Sequence, residues 1–215
     1  NLKYSQSESE KIKINENIKK LIKNKKVWCA SSTHNTEETL VGLVHKKLKL
    51  KYKNLLTIII PRHINRVDLI KNQIGQQDLK IHLHEPTKKI PKDTDIYLVN
   101  SYGQTKSFFS LCKNVFLGGS LIKHGGQNPL EAARYGCNIL HGPNISNFKE
   151  IYKFLQKNRI STQVSYKKQM VNSLDKFFTK KTSSTKIKKK LNYIGQNILK
   201  KTYKEVNFII KKNEF

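Results

Sequence analysis

The sequence predicts an α/β fold with a doubly wound parallel sheet, and three features of the 215-residue chain support this fold class. Strand-like and helix-like stretches alternate along the chain. The strand-like runs, such as LLTIII (55–60), are apolar on both faces, as expected for strands covered by helices on either side. Polar and glycine-rich segments follow several of these runs. No apolar run reaches the ~20 residues of a membrane-spanning helix.

The strands are predicted from short apolar runs, and the helices from apolar residues repeated every three or four positions, such as Leu40, Val44 and Leu48. The predicted strands cover residues 27–31, 55–60, 81–84, 96–100, 114–118, 137–142 and 162–164. The predicted helices cover residues 8–24, 36–52, 65–74, 105–112, 129–135 and 145–156. Ser7 and Glu10 have the spacing of a capping box at the start of the first helix. Beyond about Tyr166 the sequence predicts Lys-rich helices with a break at 180–186.

The net charge of +27 admits two interpretations. A nucleic-acid partner is one, because clustered positive charge binds phosphates. Compositional drift towards Lys, Asn and Ile is the other, and it is favoured because only four of the 42 basic residues are Arg and no RNA-recognition, KH or zinc-finger motif is present. The cysteines, Cys29, Cys112 and Cys137, are far apart and lack metal-ligand spacing, which fits a reduced cytoplasmic protein.

Candidate binding residues concentrate in four loops that follow strands. In doubly wound sheets ligands bind beyond the carboxyl ends of the strands. The four loops are SSTHN (31–35), PRH (61–63), NSYGQ (100–104) and GGSLIKHGGQN (118–128). The last has four glycines within nine residues and runs into a helix, an arrangement that exposes backbone N–H groups to an anion.

Two residues, one in these loops and one just beyond them, each have two possible roles. Asn128 and Pro129 fit the N-cap and first position of a helix, so Glu131 either completes a capping box or accepts hydrogen bonds from ribose hydroxyls. Arg62, at the end of a strand, either grips a phosphate with two parallel bonds or forms a surface ion pair. Spacing alone leaves both pairs of alternatives open. His124 is better explained as a polar loop residue than as a catalytic one.

Taken together, five stretches resemble the carboxyl-terminal half of a 3-deoxy-D-manno-octulosonic acid (Kdo) transferase. They are ASSTHNTEE (30–38), IIIPRHINR (58–66), NSYGQTKSFF (100–109), VFLGGSLIKHGGQNPLEAARYG (115–136) and GPNISNFKEI (142–151). That family moves Kdo from CMP-Kdo onto lipid A precursors in Gram-negative bacteria. The match is dense over residues 27–151 and rests on five motifs in order, which makes it specific.

The resemblance implies a Rossmann-like fold, the C-terminal domain of a two-domain GT-B glycosyltransferase. Residues 1–7 would be a remnant of the interdomain linker, 8–165 the donor-nucleotide-binding domain, and 166–215 Lys-rich helices packed on it. The N-terminal acceptor domain, which supplies the catalytic base in the family, has no counterpart here. We therefore expect no catalytic residue in this chain, and we expect the chain alone to be inactive.

The resemblance also assigns a donor-nucleotide site. Arg62 and Asn128 would contact the CMP phosphate, and Glu131 would hold the ribose hydroxyls. The remaining assigned residues lie against the nucleotide or beside it, and they are Tyr102, Gly103, Gly119 and Ser120. Further candidates are Ser32, His63, Gly125 and Gly126. The chain departs from the family pattern at Gln127, usually His, and at Tyr102-Gly103, usually Met-Gly.

The implied partners are CMP-Kdo and, through the missing domain, a lipid A precursor, with no metal, cofactor or nucleic acid. An anionic membrane surface is a further expected partner, which would place the protein in the cytoplasm at the inner membrane's cytoplasmic face. Two alternatives stay open. One is a GT-B enzyme that uses a UDP-sugar, either a glycosyltransferase or an epimerase, and the other is a basic nucleic-acid-binding module.

Overall fold

The computed structural model describes residues 14–85, 87–179 and 184–212. The predicted linker at 1–7 and the predicted capping box of Ser7 and Glu10 lie outside these residues. The first described helix, α1, spans Glu16–Ile22, a shorter stretch than the predicted 8–24. It begins after Asn15, whose side-chain oxygen accepts a hydrogen bond from the Asn17 amide at 2.8 Å.

Seven parallel strands form one sheet, as the sequence predicts. They are β1 (Lys26–Thr33), β2 (Leu55–Pro61), β3 (Ile81–Leu83), β4 (Ile96–Leu98), β5 (Asn114–Leu117), β6 (Asn138–His141) and β7 (Ser161–Gln163). Their order in the sheet is β3-β4-β2-β1-β5-β6-β7. From β1, the strands β2, β4 and β3 extend the sheet to one side, and β5, β6 and β7 extend it to the other. The strand order therefore reverses between β1 and β5, where sheets of this kind open a crevice for ligands.

Helices connect the strands close to the predicted positions. They are α2 (Glu37–Lys49), α3 (Val67–Gly75), α4 (Thr105–Leu111), α5 (Leu130–Arg134), α6 (Lys149–Lys157), α7 (Lys167–Thr179) and α8 (Ser184–Lys212). Short 3-10 turns at Ile64–Arg66 and Ser146–Phe148 precede α3 and α6. Within the described ranges, no helix combines the length and the apolar character needed to cross a bilayer.

Two apolar clusters cover the two faces of the sheet. Successive residues of β1 alternate between them, because Trp28 and Ala30 belong to one cluster and Cys29 to the other. The strand β2 is buried along its whole length. A strand with helices on both faces needs apolar residues in both directions, which explains why the strand-like runs are continuous rather than alternating.

The two carboxyl-terminal helices contribute to opposite clusters. Met170 and Leu174 of α7 are buried in the cluster that contains the apolar residues of α2. Ile187 and Leu191 of α8 are buried in the cluster that contains the alanines of α5. The domain boundary predicted at 165/166 stays a prediction.

Gly142, directly after β6, is required by a close backbone approach. A Cβ placed there would lie 2.1 Å from the Ser120 carbonyl oxygen and 2.5 Å from the Leu121 nitrogen. Gly75, at the end of α3, has no heavy atom within 4 Å of the equivalent position. The two glycines therefore form a matched pair for substitution.

We expect Gly142→Ala to destabilise the fold by about 3 kcal/mol, because backbone atoms must move to admit the methyl group. Gly75→Ala should stabilise it by about 0.5–1 kcal/mol, because alanine loses less backbone entropy in a helix. Urea unfolding of the parent and both variants measures the difference. Equal stability of the two variants would contradict the close packing of the loops after β5 and β6.

Candidate functional site

Loops after three central strands meet at the carboxyl rim of the sheet. The Arg62 amide, after β2, donates to the Thr33 carbonyl oxygen of β1 at 2.9 Å. The Gly118 amide, after β5, donates to the Ser31 carbonyl oxygen of β1 at 2.8 Å. The strand β1 extends to Thr33, further than predicted, with an irregular register between Ser31 and Thr33 and a positive φ of 55° at Ser32. Three of the four predicted loops therefore lie side by side at the switch point.

Glu37, the first residue of α2, binds the backbone of two of these loops. Its Oε2 accepts hydrogen bonds from the amides of His34 at 3.0 Å and Gly119 at 2.8 Å. Its Oε1 accepts from the amides of Ser120 at 3.2 Å and Leu121 at 3.0 Å. The residue is only 1% exposed. Burial raises the pKa of the Glu37 carboxyl, while the four amide donors oppose the rise.

The four donors show which form of Glu37 fits the site. A protonated carboxyl would place an O–H among four N–H groups, none of which can accept its hydrogen bond. The ionised form satisfies all four amides, so the Glu37 carboxylate acts as an internal anion for the glycine-rich loop. Gly118 permits this approach, because a Cβ there would lie 2.4 Å from the Ser32 carbonyl oxygen and 2.8 Å from Glu37 Oε2.

This arrangement changes the expected role of the glycine-rich loop. The sequence suggests that its amides face a bound anion, but those of Gly119 and Ser120 are already bonded to Glu37. The Ser120 side chain is fully buried, and its hydroxyl donates to the Leu117 carbonyl oxygen at 2.6 Å and accepts from the Gly142 amide at 2.7 Å. Gly119 and Ser120 stay predicted neighbours of a nucleotide, and their hydrogen bonds support the loop from inside.

Three histidines from the three loops pack together at this rim. The ring centroid of His34 lies 4.2 Å from that of His124 and 5.8 Å from that of His63. We call these three residues the histidine cluster. His34 is 8% exposed, whereas His63 and His124 are exposed. His34 Nε2 is buried and has no hydrogen-bond partner among the described residues.

Burial, more than the neighbouring basic groups, keeps the ring of His34 neutral. Burial lowers the pKa of His34 to about 4, and His124, His63, Arg66 and Arg62 add to the effect in that order. A neutral ring with a free nitrogen among positive groups is suited to contact an anion, since an anion would both satisfy the nitrogen and offset the repulsion.

The two arginines that follow β2 differ in whether their guanidinium groups are already paired within the protein. Arg66 is held by the buried carboxylate of Glu38, with Nη1 to Oε1 at 2.9 Å and Nη2 to Oε2 at 3.3 Å. It also donates to Asn35 Oδ1 at 3.3 Å. Arg62 is exposed, and among the described residues its guanidinium takes part in no ion pair. The backbone fixes Arg62 at the rim and leaves its charge available to a ligand.

The other predicted residues lie around this centre. Asn128 Oδ1 accepts from the Leu130 amide at 3.1 Å, but the N-cap of α5 is Pro129, one residue later than predicted, and Glu131 is half-buried in the first turn of that helix. Gly125 and Gly126 are buried with φ of 92° and 76°. They let the chain fold back so that the Gly126 amide donates to the Gly119 carbonyl oxygen at 2.8 Å.

Tyr102 and Gly103 lie in the turn after β4, a strand separated from β1 by β2. Tyr102 is 69% exposed, and Gly103 is exposed with a φ of 79°. The structure therefore places these two residues at the same edge of the sheet but one strand further from the switch point. A contact with the base or ribose of a nucleotide stays a prediction for them.

Sequence reasoning missed Glu37, His34 and His124 as organising residues of the rim. It placed residues 31–35 in a candidate binding loop but singled out only Ser32 there. One signal was available, because three of the seven histidines fall in the four loops at the predicted carboxyl ends of strands. Among the described residues, no group of three or more His, Cys, Asp or Glu side chains is arranged to hold a metal ion.

We expect Glu37→Gln to destabilise the protein by about 2–4 kcal/mol, since the new NH₂ group faces amide donors and the charge that strengthened their bonds is lost. Glu16→Gln is the matched control, because the Glu16 side chain is 71% exposed and its ion pair with Lys19 lies on the surface. Urea unfolding measures both. A Glu37→Gln variant as stable as the control would show that the carboxylate is not needed to hold the loops.

Comparison with characterised sequences finds several 3-deoxy-D-manno-octulosonic acid transferases and a bifunctional glycosyltransferase/methyltransferase of Fusobacterium nucleatum, which is 30% identical over 186 residues and covers 84% of this chain and 28% of that protein. The chain is 33% identical over 130 residues to the 3-deoxy-D-manno-octulosonic acid transferase of Haemophilus influenzae, covering 60% of this chain and 30% of that protein. It is 31% identical over 175 residues to the enzyme of the same name from Rickettsia bellii, covering 81% of this chain and 41% of that protein. The chain thus spans less than half the length of these relatives. No protein-family model matches it.

A solved structure shares the fold. It is the C-terminal CMP-Kdo binding domain of WaaA from Acinetobacter baumannii, with a TM-score of 0.74 at 22% identity, covering 83% of this chain and 97% of that domain. The predicted fold class, the Rossmann-like C-terminal domain of a GT-B glycosyltransferase, is confirmed. The predicted resemblance is confirmed as well, and the chain is a homologue of 3-deoxy-D-manno-octulosonic acid transferases.

Proposed function

We propose that this chain is the donor-binding part of a Kdo transferase and that the rim formed by the loops after β1, β2 and β5 binds CMP-Kdo. The observation that carries the proposal is the position of Arg62. It follows the central strand β2, its amide is bonded to Thr33, and its exposed guanidinium lies beside the switch-point crevice. The names of the sequence relatives and of the domain with the same fold support CMP-Kdo as the ligand.

The roles of the binding residues follow from the atoms that remain available. Arg62 has a full guanidinium for the phosphate, which it can hold with two parallel bonds. Asn128 uses Oδ1 to accept from the Leu130 amide, so its NH₂ group is the part that would reach the phosphate. The family resemblance assigns Glu131, in the first turn of α5, to accept hydrogen bonds from the ribose hydroxyls. Glu37 would hold the loop beneath the ligand without touching it.

The chemistry of transfer would rest on stabilising the departing CMP. Negative charge grows on the phosphate as its bond to the sugar breaks, and a fixed guanidinium lowers the energy of that charge. The acceptor hydroxyl of a lipid A precursor needs a general base, which we assign to a part of the enzyme outside this chain. We propose that no residue of this chain is catalytic, that the chain alone transfers no sugar, and that neither metal nor cofactor takes part.

The proposed donor predicts a specific loss on substitution of Arg62. Arg62→Ala should weaken CMP binding about 10-fold to 100-fold, because a hydrogen-bonded charge contact contributes about 1.5–3 kcal/mol. Arg159→Ala is the matched control, since Arg159 is exposed and precedes β7 at the opposite edge of the sheet. Isothermal titration with CMP measures both. Equal affinities in the parent and Arg62→Ala would contradict the phosphate role.

The same titration separates the proposal from its two alternatives. UDP binding about 10-fold more tightly than CMP would indicate a UDP-sugar enzyme, since the pyrimidine and the phosphates are what differ. Tight duplex DNA or RNA binding that falls steeply with salt, without CMP binding, would indicate a nucleic-acid-binding module.

We also propose that the protein works in the cytoplasm, at the cytoplasmic face of the inner membrane, where its +27 charge is attracted to anionic lipid. The exposed lysines of α7 and α8 are the candidates for this contact, and they include Lys168, Lys189 and Lys200. Flotation with liposomes should show binding that requires anionic lipid and weakens with salt. Equal binding to neutral and anionic liposomes would contradict this location.

A further inference from the structure

We propose that the histidine cluster is a second anion subsite that binds the carboxylate of the donor sugar and takes up a proton when it does so. This inference rests on the proposed function, because it assumes that Arg62 binds the donor phosphate. It goes further in three ways: it assigns the sugar carboxylate to a site, it names the histidine cluster as that site, and it predicts that binding depends on pH.

The chemistry of a sugar acid donor calls for such a subsite. In a CMP-activated ulosonic acid, the carbon that bears the phosphate also bears the carboxylate, so two negative groups enter the site a few ångströms apart. One guanidinium can hold one of them with two parallel bonds. A second positive or hydrogen-bonding group must lie beside Arg62 for the other.

Four amides of the glycine-rich loop are already bonded within the protein. Those of Gly119, Ser120 and Leu121 are bonded to the Glu37 carboxylate, and the Gly126 amide is bonded to the Gly119 carbonyl oxygen. Arg66 is bound to Glu38. The rings of the histidine cluster lie beside Arg62 at the meeting point of the three loops, where they can receive a second anion.

His34 carries the clearest sign of a ligand. Its ring is 8% exposed, and the buried Nε2 has no hydrogen-bond partner among the described residues. A buried polar atom without a partner costs free energy unless a ligand satisfies it. A Cβ on Gly119 would lie 3.2 Å from this nitrogen and 3.0 Å from the His124 ring, so the glycine leaves room for both rings above the loop.

The charges around His34 set the direction of proton exchange. The groups that face it are His124 from the β5 loop, His63, Arg62 and Arg66 from the β2 loop, and the Glu37 carboxylate bonded to its own amide. Without ligand, the His34 pKa of about 4 leaves the ring neutral between pH 6 and 8. A carboxylate bound beside the cluster favours the protonated form and raises that pKa, so binding takes up protons and becomes tighter as the pH falls.

The test compares two ligands that differ in the carboxylate. Freshly prepared CMP-Kdo and the methyl ester of CMP both have a phosphate with a single charge that does not titrate near neutrality, but only CMP-Kdo has the carboxylate. Isothermal titration at pH 6 and pH 8, in two buffers of different ionisation enthalpy, gives affinity and proton uptake together. We expect CMP-Kdo to bind about 10-fold more tightly at pH 6 than at pH 8, with proton uptake, and the methyl ester to show neither.

Substitutions in the histidine cluster test whether these residues cause the pH dependence of CMP-Kdo binding. His34→Phe keeps the ring volume, and the double variant His63→Gln with His124→Gln changes two exposed residues. Both should lose the pH dependence and the preference for CMP-Kdo, while binding of the methyl ester changes less than about twofold. His82→Gln, on the edge strand β3, is the control and should behave as the parent.

Each outcome decides the proposal. CMP-Kdo binding that is independent of pH and unchanged in the double variant would overturn the carboxylate subsite while leaving the nucleotide site in place. Binding of neither ligand by the parent protein would overturn the proposed function, and the subsite with it. Loss of methyl ester binding in the double variant would show that the histidines contact the phosphate instead, which also overturns the proposal.

Discussion

The carboxylate of Glu37 is the interaction on which the rim of this protein depends. This one buried side chain accepts four amide hydrogen bonds. One comes from His34, three residues earlier in the sequence, and three come from the loop after β5, 82 to 84 residues later. Because the donors surround both oxygens, the carboxylate fixes the end of β1 against the end of β5. Without that charge, the buried amides of Gly119, Ser120 and Leu121 would lose their acceptor, and the loop after β5 would lose its link to the start of α2.

This constraint determines how the protein can recognise an anion. In many doubly wound proteins a glycine-rich loop presents its amides directly to a phosphate. Here the protein supplies its own anion to those amides, and we propose that the side chains above them recognise the ligand. The exposed guanidinium of Arg62 and the histidine cluster lie at the same meeting point of loops. Gly118 is needed for the close approach of the backbone to Ser32 and Glu37.

The sequence predicted the sheet, its strands and most helix positions because continuous apolar runs and helical periodicity report burial directly. It also placed Arg62, Asn128 and Glu131 at the correct edge, because residues that follow parallel strands must meet there. It could not predict the contact of Glu37 with Gly119, since a carboxylate in a first helical turn is equally typical of an ordinary cap. His34 was missed for a related reason, because its burial depends on two histidines from other loops.

The account's central claim is that side chains at this rim bind the donor phosphate while Glu37 continues to hold the loop. A crystal structure of the chain with bound CMP tests it most directly. We predict phosphate oxygens within hydrogen-bonding distance of the Arg62 guanidinium, with the amides of Gly119, Ser120 and Leu121 still bonded to Glu37. A phosphate bound to those three amides, with the Glu37 carboxylate displaced, would contradict it.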